Sequence, residues 1–585
     1  VTAERWSRPL GTLFGAVHGA ACVLRAGGGA GAAVLAGAAG AGAGWWLARP
    51  PHGWAATLSL ALLLPYALPV GPYPRNRAAE AAAGLLPLAL AAGARGLASV
   101  RGLGVRLRAL DRHAPAVAAA LVVGALVVGA GCSWLQLRHF GDRAGAMDTA
   151  YYTQVLWSAR HGGAFTGSLF EEVFYDPPLR SHFGMHNSPV LFLLQLLFLL
   201  WPGPAVLLLV RDLAVVAGAA LVYPLARLAL RPWAACVSVL LFLALPTIGY
   251  QFLHSFHPYT LGLPLVLLAL LGVRAERRAL LAAGALGLLL IREDLAIPAA
   301  ALCALAAFRP RLRRTALALA AASAAWWLVS VTRVLPHFGP SAGAVVRQAF
   351  QPLGDTEVEM VRRTLSRPWL LLQAACSVGM VPYLVRLLLP CGWLGLPTIA
   401  GLAALPTMLL NLVAGRDVGF VLDVQLHYSI VPAALLFGGF VETLGSASRA
   451  APAPPHRVQA VVLATLIGGA ALSWHDTIGA GRLRELLPHP DQRTLEEMVR
   501  ALPPDASVAA PGEALPALSR RRALYDVRKA WRVPAVVPDF ILWKEERASD
   551  EESRRARDWL EAIRRSVPYR EVLQGGAFTL LARET

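Results

Sequence analysis

VLFLLQLLFLLW, running from Val190 to Trp201, is apolar except for one glutamine and only about a dozen residues long. Spanning the hydrocarbon core takes about 20 apolar residues, so this stretch is too short to cross and reads as a re-entrant or interfacial segment. That reading decides the topology. Downstream, Ala205–Ala226 leads to Arg227 and Arg231, and Pro232–Phe252 to HSFHP (His254–Pro258). Tyr259–Val273 leads to Arg274, Arg277 and Arg278, and Ala279–Ile291 to REDL (Arg292–Leu295). Ala296–Phe308 then leads to Arg309, Arg311, Arg313 and Arg314. If Val190–Trp201 does not cross, every arginine cluster lies on the cytoplasmic side, as the positive-inside bias requires; if it crosses, every cluster lies outside.

Composition sets the class. The 585 residues are 56% hydrophobic and 15% charged, against about 25% charged in a soluble domain. Charge this sparse, with repeated long apolar runs, specifies a polytopic membrane protein. The net charge of +18 comes from arginines in short connections between apolar runs, which argues against nucleic-acid binding. Cys22, Cys132, Cys236, Cys303, Cys376 and Cys391 lie in or beside apolar segments with no CxxC pair, so they read as small buried residues. The first apolar run carries no evident signal-peptide cleavage site.

Residues 1–113 hold four Ala/Gly-rich runs (Leu10–Leu24, Gly31–Leu47, Ala55–Val70, Ala81–Ala94) and a basic connection with Arg95, Arg101, Arg106, Arg108 and Arg112. Residues 114–474 form the membrane core, with an outer loop at 136–204. Past Phe308 its expected spans are Leu317–Leu335, Trp369–Leu389, Gly392–Leu412, Ser429–Leu444 and Val458–Ser473. Hydropathy and charge bias predict about 15 spans in all, with the N-terminus inside. Residues 475–585 turn soluble in character and, by this topology, lie outside the cytoplasm. Strands are expected at Ser507–Ala510, Ala523–Val527 and Asp539–Trp543, an amphipathic helix at Ser549–Ser566, and a closing hairpin of Tyr569–Leu573 with Phe578–Ala582. The fold class is therefore an all-α polytopic membrane domain with a small C-terminal α/β domain. No GxGxxG or P-loop occurs, which argues against a nucleotide site.

Just before the short segment lies the densest polar stretch, MDTAYYTQVLWSARHGGAFTGSLFEEVFYDPPLRSHFGMHNSP (Met147–Pro189). Backbone of this kind must sit at the surface or in a protein-lined cavity, because lipid cannot satisfy it. Asp148, His182 and His186, the pair His254 and His257, and Arg292-Glu293-Asp294 all fall on the outer face. Ionisable groups at membrane depth are costly and usually functional. REDL joins two short apolar runs without turn residues, so its charges belong in a cavity. His182 and His186 have i, i+4 spacing, but Gly184 and Pro189 argue against a regular helix and no HExxH motif exists. No metal is assigned, and hydrogen bonding to a phosphate or sugar hydroxyl is the expectation.

Met147-Asp148, QVLW (Gln154–Trp157), HFGMHNSP, HSFHPYTL, IREDL and LHYS (Leu426–Ser429) occur in an order that resembles the bacterial membrane-protein family called domain of unknown function 2079. That family looks like a branch of the GT-C glycosyltransferases, and the resemblance covers roughly Ala114 to Thr585. The sequence departs from the family pattern at Met147, Met185, Ser255 and Arg292, where Phe, Glu, Asp and Lys are common. The resemblance implies a GT-C-like integral membrane enzyme that moves a sugar from a polyprenyl-phosphate donor to an acceptor on the outer face. It implies Asp148 as the catalytic carboxylate and Arg292 as the cation at the lipid phosphate, flanked by Glu293 and Asp294. His182, His186, His257 and His427 would orient sugar or phosphate, and Tyr151, Trp157 or Tyr428 would stack on a sugar face. The expected partners are membrane lipid and the polyprenyl-phosphate sugar, with no cofactor and no nucleic acid. The rival readings are a transporter or flippase of a lipid-linked or anionic solute, whose inverted repeats are not evident here, and a non-catalytic assembly protein.

Overall fold

A computed structural model describes the chain except residues 1–8, 21–29, 50–52, 64–76, 141–145, 478–482, 546–549 and positions 11, 19, 343, 378, 390, 452, 534 and 585. Parts of the expected runs Leu10–Leu24 and Ala55–Val70 lie outside the described residues. Helices build the chain as far as Thr477. Four of them organise the site: α1 (Ala114–His139), α2 (Ala146–Arg160), α3 (Val190–Leu200) and α4 (Pro204–Arg227). A fifth, α5 (Ile430–Ala450), runs through the middle of the helical core and is buried along most of its length. α1, by contrast, is mostly exposed along an apolar surface, as a lipid-facing helix is.

α3 confirms the reading of VLFLLQLLFLLW as a short helix. It has 11 residues, about 16 Å at 1.5 Å per residue. Val190, Leu191, Leu194 and Phe198 are buried, while Phe192, Leu193, Leu196, Leu197 and Leu200 are exposed. One face is packed on protein and the other is left for lipid.

Among the described residues, four helices are long and apolar enough to cross a membrane, or six if each bent pair counts as one. Hydropathy alone predicts about 15. The two counts differ in kind, because several apolar runs are not single long helices. Pro232–Ala244 and Pro246–Phe252 form one expected span broken by 65° at Pro246, whose ring lacks an N–H and blocks a continuous helix. Trp369–Leu389 is likewise two helices, Trp369–Ala375 and Met380–Leu388, and Arg278–Ile291 and Ala296–Ala306 have only 14 and 11 residues. Hydropathy counts apolar runs; it cannot separate those facing lipid from those facing other helices.

The C-terminal unit is a five-stranded sheet: β1 (Val508–Ala510), β2 (Leu524–Asp526), β3 (Phe540–Lys544), β4 (Tyr569–Gly575) and β5 (Phe578–Arg583), in the order β2-β1-β3-β5-β4. β1 is parallel to β2 and β3, and β5 is antiparallel to β3 and β4. Helix α6 (Glu551–Ser566) packs Trp559, Leu560 and Ile563 on this sheet, and Asp550 caps it by accepting from Ser553 N at 2.7 Å. Gly576, at φ 56°, supplies the left-handed residue of the β4–β5 turn.

Candidate active site

Asp148 sits in the first turn of α2, and the residues one turn on define a shared face. Ser255 Oγ donates to Asp148 Oδ2 at 3.4 Å, and Thr149 Oγ1 accepts from Phe256 N at 2.9 Å. These two contacts fasten HSFHP to the start of α2. A second clamp comes from below. Arg211, wholly buried in α4, donates to Asp212, to Ser133 Oγ at 2.7 Å, and to the carbonyls of Phe252 (3.1 Å) and His254. Burial pushes the Asp148 carboxyl up to about 6, partly offset by the Ser255 hydrogen bond and the charge of Lys529.

Arg292 forms a fork with its near neighbour. Its Nε donates to Asp294 Oδ1 at 2.8 Å and its Nη2 donates to Oδ2. The guanidinium lies 5.0 Å from the Tyr259 ring centroid and 5.9 Å from that of Tyr428. Glu293 faces elsewhere. It accepts from His186 Nδ1 at 2.9 Å and from Asn187 N at 2.8 Å. Asn187 Nδ2 in turn donates to Ser330 Oγ at 2.8 Å, at the start of a π-helical turn (Ser330–Val334).

Three histidines stand between Asp148 and Arg292. His427 stacks on His257 with centroids 3.5 Å apart and planes within 5°, and on His254 at 6.4 Å. Tyr428 lies 4.1 Å from the His427 ring. The chain of contacts Asp148–His427–Tyr428–Arg292 therefore joins the carboxylate to the guanidinium. One oxygen of Asp148 and one nitrogen each of His254 and His427 lie within 4.8 Å of one another. His427 is buried, and neither ring nitrogen has a hydrogen-bond partner among the described residues. Two imidazoles and a carboxylate make a donor set suited to a divalent transition ion such as Zn²⁺.

The residues 143–574 match the model of a family described as "Predicted membrane protein (DUF2079)". The chain belongs to the DUF2079 family. No curated protein matches the DUF2079 chain. Among solved structures, ArnT from Cupriavidus metallidurans bound to undecaprenyl phosphate is similar at 15% identity and TM-score 0.46, over 79% of this chain and 97% of that one. The same protein in the apo state gives 13% and 0.45 over the same shares. The apo oligosaccharyltransferase of Archaeoglobus fulgidus gives 13% and 0.37, over 77% of this chain and 73% of that one.

In the DUF2079 protein the sequence-derived residues divide into two groups. Asp148, His257, Arg292, Asp294, His427 and Tyr428 gather in one cluster, with His186 and Glu293 joined to it through the REDL turn. Tyr151 and Trp157 are placed otherwise than sugar stacking requires. Tyr151 is only 1% exposed; its hydroxyl donates to Glu171 Oε1 at 2.8 Å and lies 2.8 Å from His182 Nδ1. Trp157 is nine residues past Asp148, which is about 180° around a helix, and its ring stacks on His161 at 4.1 Å. The i, i+4 pair His182 and His186 also splits: His182 joins Tyr151, and His186 joins Glu293. Among the described residues, Asp294 and not Glu293 hydrogen-bonds the Arg292 guanidinium. Sequence reasoning missed Arg211-Asp212 and the approach of His254 to Asp148 and His427. The first carried a plain signal, an ion pair inside an otherwise apolar run.

Proposed function

We propose that this protein is a membrane glycosyltransferase that takes a sugar from a polyprenyl-phosphate donor and passes it to an acceptor hydroxyl on the outer face of the membrane. The observation that carries the reading is the single cluster linking one carboxylate, Asp148, to one fixed guanidinium, Arg292. Sugar transfer needs a base or orienting carboxylate at the attacking oxygen and a cation at the departing phosphate. Asp148 fits the first role and Arg292 the second. Asp294 keeps the Arg292 fork in one orientation, while Tyr259 and Tyr428 shield it from solvent. α3, with its bare apolar face, lies where a donor's isoprenoid chain would approach. The motif resemblance from Met147 to Ser429 supports the same assignment. If Zn²⁺ is held by Asp148, His254 and His427, it supplies Lewis acidity beside the acceptor.

The test incubates purified protein with labelled polyprenyl-phosphate sugars, undecaprenyl carriers first, and follows release of the lipid phosphate. Release that depends on Asp148 supports the reading. Absence of release with every donor, together with solute movement in vesicles, supports a transporter instead.

A further inference from the structure

The C-terminal α/β unit is not a loose appendage; it is seated on the helix that carries Asp148. Gln154 Nε2, six residues along α2, donates to the carbonyls of Arg521 and Arg522 at 3.1 Å each. Ser168 Oγ donates to Leu524 O at 2.7 Å and accepts from Leu524 N at 2.9 Å, pairing with β2 as a neighbouring strand would. Tyr525 OH donates to Glu172 Oε2 at 2.8 Å. These bonds are mostly buried, so the turn that follows β2 is held against the start of α2.

That turn carries cations. Lys529 Nζ lies 3.4 Å from the sulfur of Met147, the residue beside Asp148, and 5.3 Å from the Phe174 ring centroid. Arg532 lies 5.4 Å from the same ring. Arg528, in the same turn, is paired with Asp550 at 2.8 Å. Lys529 and Arg532 make no close ion pair among the described residues: Lys529 meets the Met147 sulfur and the Phe174 ring, Arg532 the rings of Phe174 and Trp531, and the Lys529 charge acts on the buried carboxyls of Asp148 and Asp526 only from beyond ion-pair distance. The chain contains just two lysines, and the other, Lys544, is paired with Glu513 at 2.7 Å. Lys529 is half-buried and Arg532 exposed, so the pair faces both the cluster and solvent. A partly desolvated ammonium that makes no close ion pair is stabilised by an anion that docks within hydrogen-bond reach.

We propose that Lys529 and Arg532 form the acceptor side of the site and bind a phosphate monoester carried by the acceptor. This rests on the transfer reading above, and it names the class of acceptor: a hydroxyl compound bearing a phosphate. Its hydroxyl is directed to Asp148 while its phosphate is held by the C-terminal unit. Lys529 supplies a compact charge with rotatable donors, and Arg532 supplies a planar fork.

The experiment uses the full chain in phosphatidylcholine nanodiscs. Two probes are titrated, glycerol 3-phosphate as a soluble monoester and phosphatidic acid as a membrane-borne one, with binding followed by calorimetry. Wild type binds at least one probe saturably. Lys529→Met with Arg532→Gln weakens that binding at least about tenfold, the scale of losing a charge-assisted contact, whereas Lys529→Arg stays close to wild type. Binding of undecaprenyl phosphate, assigned to Arg292, is unchanged in both variants. Saturation by phosphatidic acid alone identifies a lipid-borne acceptor; saturation by glycerol 3-phosphate identifies a soluble one. Equal affinity in wild type and double variant, or no saturable binding of either probe to wild type, overturns the proposal. Phosphate binding that depends on Lys529, in a protein that releases no sugar from any donor, overturns the transfer reading and leaves this anion site standing.

Discussion

Arg292 and Asp294 are two residues apart and joined by two parallel hydrogen bonds, so the guanidinium is fixed in plane between the rings of Tyr259 and Tyr428. The adjacent carboxylate, Glu293, points to His186 and Asn187 instead. One turn thus aims two acidic groups at different neighbours. Asp294→Ala is expected to leave a buried guanidinium uncompensated and to destabilise the protein by about 3 kcal/mol, the usual cost of breaking a buried pair. Glu293→Gln is expected to keep donor binding and loosen the 186–187 backbone. Thermal unfolding in detergent, with donor titration of each variant, separates the two.

Trp157→Ala is expected to lower stability, because the half-buried ring packs on the helical core, and to leave donor binding and transfer by the folded protein within about twofold of wild type. Its position, roughly half a helical revolution from Asp148, is the reason. A large loss of transfer in Trp157→Ala would place the acceptor on the opposite face of α2.

This last pair shows what was legible in the sequence. The order of motifs picked out HSFHP, REDL and LHYS, and the structure brings all three to Asp148 because each is a short polar interruption between apolar helices. Facing direction was not legible. Tyr151 and Tyr152 are adjacent, yet one binds Glu171 and the other approaches His257, because α2 turns by about 100° per residue. Helix continuity was not legible either, since Pro246 breaks one apolar run and several others form helices of fewer than 18 residues. The strands of the C-terminal unit fell within a residue or two of expectation, where alternation and turn residues mark their limits. Its contact with α2 depends on backbone carbonyls at 521 and 522, which no side-chain pattern advertises.

Glu171 gives a pH prediction. Burial pushes its carboxyl up to about 8, from an ordinary value of 4.5, while the Tyr151 hydroxyl and the Gly167 amide bond to it. Between these two values the folded state retains a proton that the unfolded state releases. The stability from neutral Glu171 is therefore complete below about 4.5 and is lost as pH rises through about 8. Unfolding temperature should fall from pH 5 to pH 9 in wild type, and less steeply in Glu171→Gln, which is neutral throughout. Parallel slopes in the two proteins would remove Glu171 as the cause.

Asp148, His254 and His427 give a metal prediction. Protein loaded with Zn²⁺ and then desalted is expected to retain about one equivalent by mass spectrometry, the load of a single three-ligand site. His427→Ala is expected to lose most of it, while His186→Ala, whose ring is engaged by Glu293, keeps it. Wild type at the blank level would leave the His427 nitrogens without a metal role.

Asp148→Asn is the sharpest test of the chemistry. The substitution preserves shape and still accepts from Ser255, so α2 and HSFHP stay fastened. In the proposed transfer it removes the charge that assists the attacking hydroxyl. Transfer should fall by about 10²–10⁴, the range for losing a general base, with donor affinity nearly unchanged. Arg292→Ala should show the reverse emphasis, weakened donor binding before any effect on turnover, and Arg292→Lys a partial defect because the charge remains but the fork is gone. The two patterns together place attack at one end of the Asp148–His427–Tyr428–Arg292 chain and departure at the other. Wild-type release of lipid phosphate by Asp148→Asn would detach Asp148 from the reaction, and an equal loss of donor binding in both variants would reduce the cluster to a single anion-binding site.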